Sequence, residues 1–559
     1  MTYMHVLSAA EMQACDRLTS ERFGVPSIEL MRSAAGNVAN FVRTQFPRAK
    51  RVTALCGRGN NGGDGLMTAK LLAEAGLDVT TLLLGSLQGL VGDAAVAWTE
   101  LANTASGSYF IVESAEDLAK HKKTLEADLI LDAVLGTGFK PPMRPLALAA
   151  LEWLKGSKSP VLAVDLPSGW PADSAEATVA GPVFPADAVI TFTAPKPAHV
   201  FGQLTRLWDQ PIVVAPIGSP EEAVVSESGL HWAGSAMAMV QAPRVAGANK
   251  GNFGHVLVVG GSFGTAGGKA GAPSMTSLAA LRSGAGLVTA AVPAPALAVV
   301  SAVAPELMTW PLKVNEDGQI SAENLKSEHM AELIKGITVL AIGPGLGQSA
   351  DTKKFQTFLL FGTKMPVVID ADGLNNLSSN HSSTQPKLLP ELAKDGRTIV
   401  LTPHPGEMAR LVGITVKEVQ ANRLDVARNF ALTHRVTVVL KGARTLIAHP
   451  DGRVAVNTTG NPGMAKGGSG DLLTGLVASL LAQYHTDPAQ AVEAAVYLHG
   501  LAADLAVKQG DQHTLLATDS LQQLSRAFRF ESRGPNGYVW LQGQPSKSLN
   551  VTVPQEAQE

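Results

Sequence analysis

The sequence predicts an α/β protein of two domains, each built on a largely parallel sheet. Short aliphatic runs of strand length, such as Arg51–Gly57, Val79–Leu84, Leu129–Asp132, Val161–Asp165 and Ala188–Phe192, alternate with segments of helical period. Most of these runs end in glycine, proline or aspartate, where an open parallel sheet gathers its ligand site. Periodicity then fades from Ile217 to about Val245, and a second series of strand-then-turn segments begins at His255. A chain of 559 residues also exceeds what one core holds.

Composition narrows the function class. Hydrophobic residues at 45 %, charged residues at 17 % and 55 glycines describe a loop-rich α/β protein, not a disordered or coiled-coil one. A net charge of −3 lacks the basic excess of a nucleic-acid binder, so no nucleic-acid partner is expected. Two cysteines, Cys15 and Cys56, allow no disulfide framework or thiolate cluster and fit a reducing compartment. The first residues carry Glu11, Asp16 and Arg17 in a helical pattern, unlike a signal peptide. The most apolar stretch, Gly284–Ala304, is broken by Pro293 and Pro295. A cytoplasmic protein without a membrane segment follows, and a homo-oligomer is the expected assembly.

In the first series, residues 7–46 read as two helices parted by Pro26. The strand Arg51–Gly57 then runs through Arg58-Gly-Asn-Asn-Gly-Gly-Asp-Gly65 into a helix expected over Leu66–Ala75. Strand, glycine-rich turn and helix make a phosphate or nucleotide site, and Asn60, Asn61 and Asp64 exceed what a bare turn needs. Two further strands end in aspartate, at Asp132-Ala-Val-Leu-Gly-Thr-Gly138 and Asp165-Leu-Pro-Ser-Gly169, so several polar strand ends face one crevice.

In the second series the richest segment is Asn457–Asp471, with five glycines and one proline in fifteen positions, which reads as a turn opening into a helix at Leu472–Gln483. Amides at such a helix mouth form an anion site. A carboxylate at Asp471 would repel a resting phosphate, but it suits a base that takes a proton from a substrate hydroxyl while the amides steady a phosphoryl group in transfer.

These motifs carry two family resemblances. Asn60-Asn-Gly-Gly-Asp64, Leu131-Asp-Ala-Val-Leu-Gly-Thr-Gly138 and Val164-Asp-Leu-Pro-Ser-Gly169 resemble the YjeF N-terminal domain, an epimerase of hydrated NADH and NADPH with a Rossmann-like three-layer fold. The resemblance implies a potassium ion on Asn61, Asp132 and Ser168. It implies that the hydrated nucleotide contacts Asn60, Asn61, Gly62, Gly63 and Asp64, then Gly136, Thr137, Gly138, Phe139, Lys140, Pro141 and Pro142, and Asp165, which would be catalytic. Lys196, in Ala194-Pro-Lys-Pro197, sits where that family carries a lysine, but Ala198 replaces a usual glycine, and a solvated lysine is the plainer reading.

The later segments, Val339–Gly347, Val367–Leu374, Thr398–Glu407, Val436–Thr445 and the Asn457–Asp471 loop, resemble the YjeF C-terminal domain. That domain is a ribokinase-like three-layer sandwich that dehydrates hydrated NAD(P)H with ADP or ATP. The resemblance implies that Lys441, Gly442, Ala443, Arg444, Thr445, Asn461, Gly463, Gly467, Gly468, Ser469 and Gly470 bind the adenine nucleotide with Mg2+. Gly345, His404 and Asp471 would lie toward the hydrated substrate, with Asp471 catalytic. The expected division is residues 1–218, residues 226–525 and an irregular tail, 526–559. Two other readings compete: a kinase that releases a stable phosphate, for which the first domain has no use, and a non-catalytic binding module, which would have lost Asp132 and Asp165.

Overall fold

The computed structural model describes residues 3–264, 267–378 and 388–543. Its strands in chain order are β1 (Arg51–Cys56), β2 (Asp78–Leu84), β3 (Ser108–Val112), β4 (Leu129–Ala133), β5 (Val161–Val164), β6 (Ala188–Phe192), β7 (Ile212–Ala215), β8 (Leu230–Trp232), β9 (His255–Val259), β10 (Phe263–Gly264), β11 (Gly267–Gly268), β12 (Leu287–Pro293), β13 (Met308–Leu312), β14 (Val339–Ile342), β15 (Val367–Ile369), β16 (Ile399–Leu401), β17 (Thr437–Leu440), β18 (Leu446–Ala448), β19 (Val454–Val456) and β20 (Val539–Gln542). Two units divide the chain: one joins Met4–Ser228 to the segment from Glu531 onward, the other joins Tyr3 to Gly229–Phe530.

In the first unit the strand order is β20-β7-β6-β5-β4-β1-β2-β3, all parallel except β20. Strand order reverses between β1 and β4, so the crevice at their carboxyl ends is where this topology places a ligand. Alternate residues face opposite layers. Val52 and Ala54 of β1 pack with Leu30, Val38 and Phe41 of helix Ser27–Gln45, whereas Leu55 and Ile130 join Ala150, Leu151 and Leu154 of helix Pro145–Leu154 on the other face.

Two expectations change here. The glycine-rich segment after β1 is not a turn before a helix at Leu66: the helix begins at Asn60 and runs to Glu74. Its glycines serve close packing, since a Cβ at Gly62 would overlap the Gly57 carbonyl and one at Gly65 would lie 2.5 Å from Ala133 Cβ. The segment after residue 526 is also not simply irregular. Helix Ala517–Phe528 crosses that boundary, and β20 pairs antiparallel with β7. Tyr538 donates its hydroxyl to the Asn37 carbonyl at 2.8 Å and accepts from Asn40 Nδ2 at 2.9 Å, while the Trp540 ring lies 6.2 Å from that of Phe41. Trp540 is 2 % exposed. Trp540→Ala should therefore cost about 3–5 kcal/mol of unfolding free energy in urea, whereas an ornamental tail would cost nothing measurable. The part of the tail beyond residue 543 lies outside the described residues.

In the second unit the order is β13-β12-β9-β14-β15-β16-β17-β18-β19-β8, with β18 the antiparallel member. Helix Ser469–Gln483 is buried along Leu472–Ala482, and its mouth opens beside the carboxyl end of β15. It starts three residues before the expected Leu472, which puts Gly470 and Asp471 in the first turn. Gly468 at φ 97° is the N-cap, and Ser469 donates its hydroxyl to the Met464 carbonyl rather than capping. The apolar Gly284–Ala304 stretch becomes β12 and short helical turns, and among the described residues no helix is long and apolar enough to cross a membrane.

Candidate active sites

In the first unit a cavity of about 590 Å³ opens at the carboxyl ends of β1, β4 and β5, lined in part by Asn60, Asn61, Asp64, Asp165 and Lys196. Asp165 follows β5 in a left-handed conformation, φ 65°, which a non-glycine residue adopts only when its surroundings hold it there. The holding groups are explicit. Its Oδ1 accepts from Thr191 Oγ1 at 2.8 Å and Lys196 Nζ at 3.0 Å, its Oδ2 accepts from the Thr137 amide at 3.1 Å, and its carbonyl meets His199 Nε2 at 2.7 Å.

Lys196 is not solvated as the sequence suggested: it is 2 % exposed, and its ammonium bonds Thr191 Oγ1 at 2.8 Å as well. Burial works against charge on Asp165, but Lys196 and these hydrogen bonds outweigh it and hold the carboxyl below its usual range. Burial beside the Lys196 ammonium pushes His199 down to about 4, so its ring is neutral. The Lys196 amide donates to His199 Nδ1 at 2.9 Å, leaving Nε2–H to donate to the Asp165 carbonyl. Burial, Asp165 and Asp16 together raise Asp64 well above the ordinary carboxylate range, and burial first of all raises Asp16 to about 6. The pocket thus holds one firmly ionised carboxylate against an ammonium, beside two carboxyls that take up protons readily.

Gly136, Thr137, Gly138 and Phe139 line the same cavity; Gly62, Gly63, Lys140, Pro141 and Pro142 are not among its lining residues. Asp132 and Ser168 lie fully buried below it. Ser168 donates its hydroxyl to Asp132 Oδ1 at 2.5 Å and its amide to Oδ2 at 2.8 Å. Burial raises the Asp132 carboxyl to about 6 against these bonds. Asn61 differs: both its amide oxygen and nitrogen are buried without a hydrogen-bond partner. A buried orphan oxygen together with carboxylate and hydroxyl oxygens is a donor set that suits a hard monovalent cation.

In the second unit Asp471 stands in the first turn of its helix. Burial, then the neighbouring Asp370, raise its carboxyl to about 6, with Lys441 pulling the other way. Asp370, at the end of β15 and 1 % exposed, accepts from Lys441 Nζ at 2.8 Å and from Thr474 Oγ1 at 2.8 Å. Lys441 Nζ also lies 3.8 Å from Glu407 Oε2. Burial disfavours the ammonium, yet Asp370 and Glu407 outweigh it and keep Lys441 charged. A Cβ built on Gly470 would lie 3.2 Å from Lys441 Nζ, so this ammonium reaches the helix mouth.

His404 caps helix Pro405–Val412: its Nδ1 accepts from the Gly406 amide at 3.0 Å, and its Nε2 lies 3.4 Å from Glu407 Oε1. Gly345, at φ 66°, sits against Lys269, whose ammonium bonds Asp372 at 3.1 Å. In the glycine-rich segment 264–273, which carries Lys269, residues 265 and 266 lie outside the described residues.

The remaining nucleotide-side residues form two loops. In Lys441–Thr445, Gly442 packs against the Arg423 guanidinium, which donates to the Ala443 carbonyl at 3.1 Å, and Thr445 donates its hydroxyl to the Gly442 carbonyl. Arg444 donates to the Thr458 carbonyl at 2.9 Å, which ties this loop to the next. Asn461 caps the Gly463 amide and donates to half-buried Asp504 at 2.9 Å, while Gly467 and Gly468 lead into Ser469 at the helix mouth.

Asp370, Asp372 and Glu407 were missed as site residues. The signal was present, because Asp370 ends a strand just as Asp132 and Asp165 do, and Glu407 stands three residues beyond His404. Thr191 and His199 had no such signal, since only the fold brings them to Asp165.

Comparison with known proteins follows this division. Residues 27–198 match the model of the YjeF-related protein N-terminus, and residues 256–526 match that of NAD(P)H-hydrate dehydratase. A bifunctional NAD(P)H-hydrate repair enzyme of Moorella thermoacetica is 38 % identical over 94 % of this chain and 97 % of its own length. The chain belongs to the family of bifunctional NAD(P)H-hydrate repair enzymes. Members from Coxiella burnetii and Escherichia coli are 35 % and 32 % identical, over 92 % and 93 % of this chain and 97 % and 93 % of theirs. Among solved structures, a Bacillus subtilis ADP/ATP-dependent NAD(P)H-hydrate dehydratase co-crystallised with ATP/Mg2+ is 32 % identical, covering 52 % of this chain and 96 % of its own, at a TM-score of 0.44. The two matched models put the YjeF-related unit first and the dehydratase-type unit second.

Proposed function

We propose that this chain repairs hydrated NADH and NADPH, with epimerisation of the R and S hydrates in the first unit and nucleotide-dependent dehydration of the S hydrate in the second. The observation that carries it is the contrast between two carboxylates: Asp165, at the end of β5, is held ionised against buried Lys196, whereas Asp471 is raised to about 6 at a helix mouth.

At the first site the added hydroxyl must leave the ring carbon and return on the other face. Lys196 can deliver a proton to the departing oxygen and Asp165 can receive one from the returning water, with Asn60, Asp64 and the Gly136–Phe139 loop enclosing the ring. Potassium would sit on Asn61, Asp132 and Ser168 and steady that loop.

At the second site Asp471 takes the hydroxyl proton while the oxygen attacks the terminal phosphorus of ADP or ATP. The phosphorus bond to the donor breaks, releasing AMP or ADP. The phosphorylated intermediate then loses phosphate from the ring carbon and a proton from its neighbour, restoring NAD(P)H. The Gly467–Gly470 amides and Lys441 face the charge that develops on the phosphoryl group. Asp370 and Glu407, both beside Lys441, would hold the Mg2+ that arrives with the nucleotide, whose charge would offset that of the phosphates. Arg444, Thr445, Asn461 and Gly463 would hold the adenine nucleotide, with ADP the expected donor. The reading includes a cytoplasmic location and self-association.

One test is pH dependence. Protonated Asp471 cannot act as base, so the dehydratase rate should hold above pH 7 and fall tenfold per unit well below about 6. A rate independent of pH between 5 and 7 would remove Asp471 from this role.

A further inference from the structure

Arg58 lies in the turn between β1 and helix Asn60–Glu74, and its side chain crosses the carboxyl end of β2. It rests on two residues that have no side chain: a Cβ at Gly85 would lie 2.7 Å from Arg58 Cδ and 2.9 Å from Nε, and a Cβ at Gly89 would overlap Nη1. Arg58, Leu84 and Gly85 line the cavity that also contains Asp165 and Lys196. Among the described residues no hydrogen bond or ion pair holds the guanidinium.

In a doubly wound sheet with this strand order, a dinucleotide lies across the switch point with its phosphates on the glycine turn of β1 and one ribose over the end of β2. A carboxylate at that end accepts the ribose 2′-hydroxyl and repels a 2′-phosphate. Here the segment after β2 is Gly85-Ser-Leu-Gln-Gly-Leu90, without a carboxylate. The acids of the cavity, Asp16, Asp64, Asp93 and Asp165, are close enough together that, besides burial, the other three all raise the Asp64 carboxyl. If the reacting ring occupies Asp165 at β5, the opposite end of the substrate reaches β2, three strand spacings or roughly 14 Å away.

We propose that Arg58 reads the 2′-phosphate of the substrate's adenosine ribose, which makes the first site selective for hydrated NADPH over hydrated NADH. The inference rests on the epimerase reading above and names the feature of the substrate that this site distinguishes. A guanidinium offers the paired donors that a phosphate accepts, and the two glycines leave it room to turn toward the groove. The contact is remote from the ring and equal in ground and transition states, so it acts on KM and not on kcat.

The test compares wild type, Arg58→Ala and Arg58→Lys on the R hydrates of NADH and NADPH, following conversion to S by chromatography without ADP or ATP so that dehydration is silent. For Arg58→Ala the KM for hydrated NADPH should rise roughly tenfold or more, with kcat and the NADH-hydrate constants unchanged. Arg58→Lys should fall between, and added salt should shrink the wild-type preference. Because Arg58 is exposed, an unchanged melting temperature is expected and guards against a folding artefact. An equal effect of Arg58→Ala on both hydrates, or none on either, overturns the assignment. Wild type that epimerises neither hydrate overturns the underlying reaction instead, which the other outcomes leave standing.

Discussion

Asp471→Asn should abolish nucleotide-dependent dehydration, lowering kcat by about 10²- to 10⁴-fold, while R-to-S conversion proceeds at the wild-type rate. Asparagine keeps the size of the side chain and removes the base. The stability change separates base from structural residue. The folded carboxyl titrates at about 6, above the roughly 3.9 of an unfolded aspartate. Its stabilising contribution is therefore complete below about pH 4 and lost as pH rises through 6, so at neutral pH the ionised group costs stability. Asp471→Asn should then melt at or above the wild-type temperature at pH 7. A variant with near-normal dehydratase rate would sink the assignment, and a lower melting temperature would point to a structural carboxylate.

Asp165→Asn should leave the dehydratase constant for the S hydrate unchanged and remove enzymatic recycling of the R hydrate. With ADP and a mixture of epimers, wild type should consume everything in one phase. The variant should stop after the S fraction, apart from a slow phase set by spontaneous exchange. Structure adds a complication that sequence did not: Lys196 loses the counter-charge it is buried with, and breaking such a pair costs about 3–5 kcal/mol. The double variant Asp165→Asn with Lys196→Met removes both charges and should recover much of that stability without recovering epimerisation. If Asp165→Asn consumed the R hydrate as fast as wild type, Asp165 would not be catalytic and a binding role for the first unit would be favoured.

The alternation of strands and turns exposed the architecture, because a parallel sheet buried on both faces writes itself as aliphatic runs. Asp132, Asp165 and Asp471 drew notice because each stands at a strand end or a glycine-rich helix mouth, where such a fold gathers its ligands. Lys196 was misread because its environment is tertiary: Thr191 and Asp165, on neighbouring strand ends, bury an ammonium that looked solvated. The helix start at Asn60 was hidden by glycines that look like breakers until the close approach to Gly57 and Ala133 is known. β20 was hidden for a different reason. Its four residues find β7 more than 300 positions earlier in the chain, a pairing that no local pattern encodes.

The most direct test of the whole account is to incubate purified protein with mixed R and S epimers of hydrated NADH or NADPH and follow recovery of the dihydronicotinamide absorbance with ADP, with ATP and without nucleotide. No recovery is expected without nucleotide, complete recovery of both epimers with the productive donor, and one phosphate released per ring restored. Recovery without nucleotide, or accumulation of a stable phosphorylated product with no return of absorbance, would contradict the proposed repair reaction.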